Sequence, residues 1–396
     1  MVRREDYPRR EQAYAKHYVL EHYLQQLALK IGNFRPGTTI NYIDGFSGPW
    51  QHASDELRDT SPHVALTELC AAREALLGQS RPVPLRVRGM FVEPDGAAFA
   101  LLQRFLRDRF PDVECATHCG TFEAHISDAR RFATTGPRPF AFIFVDPKGW
   151  TGYGLQAIAP LLRVRPGEAL INFMTKDIAR FIDDEDSSAL RSFVDLFGDA
   201  GYREAWRGLT ELDREDRIVE TYCARVLAAG GFAHCAATVI LNPRHDRTHY
   251  HLVYATRSLH GLVAFRETER RASAEQREVR AEARQRARIT AHGQAEMFPA
   301  AVMDTAYMTG LQQRYRRQAR DEIEALLRSG EAVPFDALVA AALRHPLTSL
   351  GDLKAWLADW RDAGALEIHG LAAGERSLAI CRGHRLRWCG GLLHGA

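Results

Sequence analysis

The sequence predicts an open α/β sheet of doubly wound type, followed by a helical connector and a small C-terminal winged-helix unit. Two observations predict the sheet. Strand-like and helix-like patterns alternate through residue 200, and the runs Phe140-Ala141-Phe142-Ile143-Phe144-Val145 and Ala169-Leu170-Ile171-Asn172-Phe173-Met174 are apolar on both faces, as strands in the middle of a parallel sheet are. A third observation, three helical stretches followed by a two-stranded hairpin, predicts the winged helix. The implied organisation is a first domain over 1–264, an Arg-rich connector over 265–320 and a winged helix over 321–388.

In chain order, residues 11–31 read as an amphipathic helix, with Leu20, Tyr23, Leu24, Leu27 and Ile31 at helical spacing and Gly32, Pro36 and Gly37 to end it. Residues 39–43 form a short strand that runs into Asp44-Gly45-Phe46-Ser47-Gly48-Pro49, too rich in Gly and Pro to continue. A helix from Ser61 follows, then a strand over 87–92 ending at Glu93, a helix over 97–110 and a strand over 113–117 ending near Gly120-Thr121-Phe122. The strongest strand, 140–145, stops at Asp146-Pro147. Strands over 236–241 and 250–255, separated by Asn242-Pro243-Arg244-His245-Asp246, close the sheet as an antiparallel hairpin. In the C-terminal part the pattern predicts helices at 320–328, 335–343 and 349–363, then strands at 366–369 and 377–380.

Composition sets outer limits. With 46% hydrophobic and 26% charged residues in 396, the chain is neither disordered, collagen-like nor a coiled coil. No apolar run approaches the roughly 18–20 residues that span a bilayer, and the N-terminus lacks the apolar stretch of a signal peptide, so a cytoplasmic location without membrane association is expected. The seven cysteines form no C-x-x-C pair, so neither a disulfide framework nor a metal site is expected from them. Basic residues number 52 against 50 acidic, yet only five are Lys.

Ligands of open α/β sheets bind beyond the carboxyl ends of the strands. Four strand ends carry candidates there. The Asp44-Gly45-Phe46-Ser47-Gly48 turn lets a ligand approach the backbone, Glu93 can accept two ribose hydroxyls, Thr121 and Phe122 can border a flat ring, and Asp146-Pro147 offers a carboxylate and a rigid carbonyl. Each feature alone is more often a plain turn or helix cap, but their recurrence after successive strands is specific. G-x-G-x-x-G, G-x-x-x-x-G-K-[ST] and a nucleophile elbow at the first turn are all missing, which disfavours a dinucleotide oxidoreductase, a phosphate-loop NTPase and an α/β-hydrolase.

Lys16-His17, Tyr42-Ile43-Asp44-Gly45-Phe46-Ser47-Gly48-Pro49, Ser61-Pro62, Phe91-Val92-Glu93, Phe144-Val145-Asp146-Pro147 and Tyr250-His251-Leu252-Val253-Tyr254-Ala255-Thr256 with Gly261 together resemble the three-Cys-motif partner protein family (TcmP) over nearly the whole chain. The motif order is also similar to that of J-type ribosomal RNA adenine-N6 methyltransferases. Both resemblances imply a Rossmann-like class I methyltransferase domain that uses S-adenosylmethionine. They imply that Asp44, Gly45, Ser47 and Gly48 form the methionine side of the cofactor site, that Glu93 holds the ribose, and that Thr121 and Phe122 border the adenine. Asp146 and Pro147 then face the target, with Lys16 and His17 positioning substrate or phosphate. Where the J-type motif continues Pro-Pro-Tyr, this chain has Pro147-Lys148-Gly149 and then Trp150. Lys148 and Trp150 become candidate substrate contacts, and an adenine-N6 target no longer follows. Trp50 replaces a Gly common in the family's turn.

The expected function is methylation of RNA or DNA, with a three-Cys-motif protein as a candidate partner. The alternatives are a non-catalytic pocket protein serving as a complex subunit and a small-molecule methyltransferase. The expected nucleic-acid contacts are the Asp146 mouth and the connector, with 12 Arg against seven acids, which also suits a solvated helix laced with Glu–Arg pairs. The winged helix, with eight basic and ten acidic residues, is expected to dock rather than to read bases.

Overall fold

A computed structural model of the chain describes residues 2–48, 57–183, 186–201, 208–292, 305–371 and 377–390. Among them, seven strands form one sheet: β1 (Thr39–Asp44), β2 (Arg86–Glu93), β3 (Glu114–Cys119), β4 (Pro139–Val145), β5 (Gly167–Phe173), β6 (His234–Leu241) and β7 (Thr248–Thr256). Their order is β3-β2-β1-β4-β5-β7-β6. The first five are parallel, while β7 runs antiparallel to both β5 and β6. The order reverses between β1 and β4, so a crevice opens beyond the carboxyl ends of those two strands.

Side-chain alternation along the strands sorts the core into two layers. Ile40 and Tyr42 of β1 and Phe142 and Phe144 of β4 pack with Leu20, Tyr23 and Leu24 of α1 (Glu11–Phe34) and with Leu66 and Leu69 of α2 (Ser61–Leu77). Their neighbours Ile43, Ala141, Ile143 and Val145 face the other way. They meet α4 (Ile126–Ala133), α5 (Leu155–Leu162) and α8 (Glu211–Gly230). Between these lie α3 (Gly96–Arg109), α6 (Thr175–Phe181) and α7 (Ser187–Phe197). The both-sides-apolar strands therefore occupy the middle of the sheet, as their composition predicts.

The Arg-rich stretch differs from the solvated helix that its composition also allows. It is the distal part of one long helix, α9 (Leu259–His292), with a face buried against the sheet and the C-terminal unit. Arg266, only 2% exposed, donates to the carbonyls of Leu343 (2.7 Å), Ala237 (2.9 Å) and Arg344 (3.0 Å) and to the Glu269 carboxylate (2.7 Å). Glu269 in turn accepts from the Leu347 amide at 3.1 Å. One guanidinium thus ties β6, α9 and the C-terminal unit together. Removing one partner of such a pair leaves a buried charge unmatched, which makes this a structural use of Arg. Further along, Arg280 and Arg284 meet Asp246, and Arg286 meets Glu11. Arg4, from the N-terminal segment, lies among Glu275, Glu278 and Glu282.

The C-terminal unit runs α10 (Thr305–Leu327), β8 (Val333–Pro334), α11 (Phe335–Arg344), α12 (Leu350–Asp362), β9 (Leu366–His369) and β10 (Arg385–Trp388). Its strands form a three-stranded sheet, β8-β10-β9, with antiparallel pairing. The second strand of the hairpin is Arg385-Leu386-Arg387-Trp388, not the run at 377–380. Here the alternating polar and apolar pattern decided the outcome over apolar content: Leu386 is fully buried between two exposed arginines.

Candidate active site

The crevice between β1 and β4 is built by residues from the ends of three strands, β1, β2 and β4. Asp44 closes β1 and is fully buried. Its Oδ2 accepts from the Ser61 hydroxyl (2.7 Å) and the Tyr42 hydroxyl (3.3 Å), and its Oδ1 from the Phe46 amide (3.0 Å). Burial pushes the Asp44 carboxyl up to about 7, and the nearby Asp146 charge works in the same direction, while the Ser61 and Phe46 bonds oppose it.

The turn after Asp44 is fixed from two sides. Ser47 exchanges hydrogen bonds with Val92 on β2: its amide donates to the Val92 carbonyl (3.0 Å) and its hydroxyl accepts from the Val92 amide (3.2 Å). Gly45 rests on the buried ring of Phe122, so close that a Cβ there meets ring carbons at 2.6–2.7 Å. Only glycine fits between strand end and ring. Gly45→Ala is therefore expected to destabilise the fold by about 1–3 kcal/mol, the usual range for overpacking. Chemical denaturation checks this against Gly96→Ala in the first turn of α3, where a Cβ has nothing within 4 Å and stability should not fall.

Glu93 ends β2 with 5% of its surface exposed. Its Oε1 accepts from the Asp95 amide at 2.8 Å, which fixes the carboxylate and leaves Oε2 for a ligand. Burial holds its carboxyl above the ordinary range. Asp146 ends β4 beside the buried Pro147. The Asn172 amide donates to its Oδ1 at 2.7 Å, and Lys16 of α1 forms an ion pair with its Oδ2. The register of α1 that delivers Lys16 is held two turns later, where Tyr23 donates to the buried Glu168 of β5 at 2.6 Å.

These groups surround a cavity of about 660 Å³ lined by Phe46, Gly48, Glu93, Asp146 and Lys148 together with the start of α3. The structure thus brings Gly48, Glu93, Asp146 and Lys148 onto one cavity, with Asp44, Gly45 and Ser47 in its supporting loop and Lys16 paired to Asp146 outside the lining. Four expected contacts, His17, Trp150, Thr121 and Phe122, lie outside the cavity lining. His17 is buried and bonded to the Tyr7 hydroxyl at 2.7 Å; burial, with help from Lys16 and Arg10, holds its imidazole below the ordinary range. Trp150 stacks on Phe193 and donates its ring N–H to Ser192 at 2.9 Å, outside the cavity lining. Phe122 supports Gly45 from below, and Thr121 is exposed beside it. Trp50 lies outside the described residues.

Two residues that hold the crevice's carboxylates, Asn172 and Ser61, have no role assigned from the sequence, although Ser61 belongs to the Ser61-Pro62 motif. Asn172 is the single polar residue in the apolar run Ala169–Met174, a signal that the sequence carries. Ser61, the partner of Asp44, stands 17 residues away, and only the packing of α2 shows the contact.

No protein-family model and no curated protein matches the chain. Solved structures to which it is similar include the O-methyltransferase from Bacillus cereus in complex with SAH, at 13% identity over 60% of this chain and 80% of that one, with a TM-score of 0.31. A protein of Legionella pneumophila matches at 8% identity over 61% and 85%, TM-score 0.32. Geranyl diphosphate C-methyltransferase from Streptomyces coelicolor matches at 11% over 59% and 80%, TM-score 0.22. At such scores the site is left to be read from its own residues.

Proposed function

We propose that the chain is an S-adenosylmethionine-dependent methyltransferase whose acceptor is an amine of RNA or DNA. The observation that carries this reading is the convergence of Gly48 in the turn after β1, Glu93 after β2 and Asp146 after β4 on one crevice at the switch point of the sheet. An acid at the end of β2 is where open α/β sheets hold ribose hydroxyls, and Glu93 presents an oxygen there. Gly48, in the turn that Gly45 and Phe122 hold in place, lines the cavity without a side chain, and the cavity lies in the usual 300–1,000 Å³ range of small-molecule sites. When bound, the cofactor supplies an already activated methyl group.

The work left to the protein is positioning. Asp146, held by Lys16 and Asn172, is placed to accept a hydrogen bond from an acceptor amine and to aim its lone pair. Support for a phosphate-bearing acceptor comes from lysine placement. Of five Lys in the chain, Lys16, Lys148 and Lys176 all sit at the carboxyl edge of the sheet, on α1, after β4 and in the first turn of α6. The α9 arginines named above are matched by acids of the same molecule, so this edge is the better candidate for contact. The C-terminal unit has the element order of a winged helix. Its α12 carries Asp352, Asp359 and Asp362, which suits docking to a protein partner.

Calorimetry with S-adenosylmethionine and its demethylated product tests the reading. Glu93→Ala is expected to weaken both by about 10–100-fold, the worth of charge-assisted bonds to two hydroxyls. Unchanged affinity in the variant removes Glu93 from the site, and no binding to the native chain ends the methyltransferase reading.

A further inference from the structure

Beyond the crevice, three side chains near the carboxyl end of β3 form a cluster that methyl transfer does not use: His118 on β3, His125 in the following turn and Asp128 in the first turn of α4. One ligand atom from each lies within 4.8 Å of the others. His125 Nδ1 is 3.3 Å and His118 Nδ1 3.9 Å from the same oxygen, Asp128 Oδ2. Donors bonded at about 2.0–2.1 Å to a tetrahedral zinc ion lie about 3.3–3.4 Å apart. The first separation already matches, and the second closes with a movement of about half an ångström.

The surroundings orient the donors as metal ligands are oriented. His125 Nε2 faces the Cys119 carbonyl at 3.4 Å; donating there leaves the Nδ1 lone pair aimed at Asp128 Oδ2. A ligating imidazole whose other N–H is held by a backbone carbonyl is the common outer arrangement of metal-bound histidine. Arg131 occupies the opposite oxygen, Asp128 Oδ1, which fixes the carboxylate with Oδ2 turned to the two rings.

We propose that His118, His125 and Asp128 bind a divalent transition-metal ion of the zinc, cobalt or nickel class, with a further position open to water. Two imidazole nitrogens select against magnesium and calcium, which take oxygen ligands. The ion sits next to the Gly120-Thr121-Phe122 segment. A Cβ on Gly120 would come to 2.9 Å from His125 Nε2, so this segment and the cluster are packed as one piece.

Cobalt(II) titration of the full chain, followed by visible absorbance, is the test, because its spectrum separates nitrogen and oxygen ligands from the seven cysteines that are the main competitors. One equivalent is expected to bind without thiolate charge-transfer bands. His125→Ala and Asp128→Asn should each weaken binding by more than about tenfold, and Cys119→Ser should leave it unchanged. Far-UV circular dichroism confirms that the variants are folded. Should a variant not fold, His118→Gln, the conservative change at the third position, takes its place with the same expectation. Thiolate bands, equal binding by native chain and folded variants, or no saturable binding overturns the proposal and leaves an ordinary Arg131–Asp128–His125 surface network.

Discussion

Asp146→Ala is expected to lower methyl transfer by about 10²–10³-fold while cofactor affinity stays within about threefold. The split follows from geometry. Asp146 lines the cavity at the end of β4, one strand away from Glu93 on β2, so the group proposed to meet the acceptor is distinct from the group proposed to hold the ribose. Its two oxygens are anchored by Asn172 at 2.7 Å and by Lys16, which gives the carboxylate one orientation before any acceptor arrives. Truncation also leaves a void beside the Lys16 ammonium, so Asp146→Asn is the companion variant: it keeps the shape and an oxygen for Asn172 while removing the charge, and like Ala it leaves Lys16 without its ion pair. Labelled methyl transfer to total RNA and DNA reads the result. Incorporation that survives both substitutions takes Asp146 out of the reaction. A native chain that binds cofactor but transfers to neither polymer points instead to a non-catalytic subunit or to a small-molecule acceptor.

The sheet was legible because its strands are short, apolar and punctuated. Phe140 to Val145 has no polar face, which fits only a central strand, and β1, β2 and β4 each stop at an acid that the Rossmann-like arrangement puts on one edge. Periodicity carries such information because each strand is specified locally. The rest depends on contacts distant in sequence. Lys16 reaches Asp146 across 130 positions, and Trp150 is drawn from the cavity to an aromatic cluster by Phe193 and Ser192. The arginines of α9 suit by composition either a basic stripe or a helix laced with Glu–Arg pairs; pairs such as Glu267–Arg270 are present, while Arg266 and Arg280 are buried and bonded to carbonyls of β6, of the turn that follows it and of the C-terminal unit. Composition counts charges; it does not say which of them face inward.

Asp44→Asn is expected to change the pH dependence of stability more than any other single substitution in the crevice. The native carboxyl titrates near 7, against 3.8 when solvated, because burial penalises its charged form. Between those values the folded chain keeps a proton that the unfolded chain has lost. Stability therefore falls as pH rises through this window and levels off above about 7, the reverse of an ordinary salt-bridged carboxylate. A displacement of this size corresponds to roughly 4 kcal/mol across the whole window, of which about 2–3 kcal/mol lies between pH 5 and 8. Asparagine removes the titration but keeps the packing. Its oxygen still accepts from the Phe46 amide, and the Ser61 and Tyr42 hydroxyls can turn to accept from its amide. Guanidinium denaturation of both forms at pH 5 and pH 8 should thus show the variant gaining on the native chain by about 2–3 kcal/mol at the higher pH. Equal pH dependence in the two forms means that Asp44 is ionised throughout. The same proton couples to the proposed cofactor: a positive charge beside the Asp44 turn favours the ionised carboxyl, so native-chain affinity for S-adenosylmethionine should rise with pH through about 7 while that of Asp44→Asn should not. The neutral-sulfur product, compared over the same range, shows whether the sulfonium or the amino-acid portion of the cofactor is responsible.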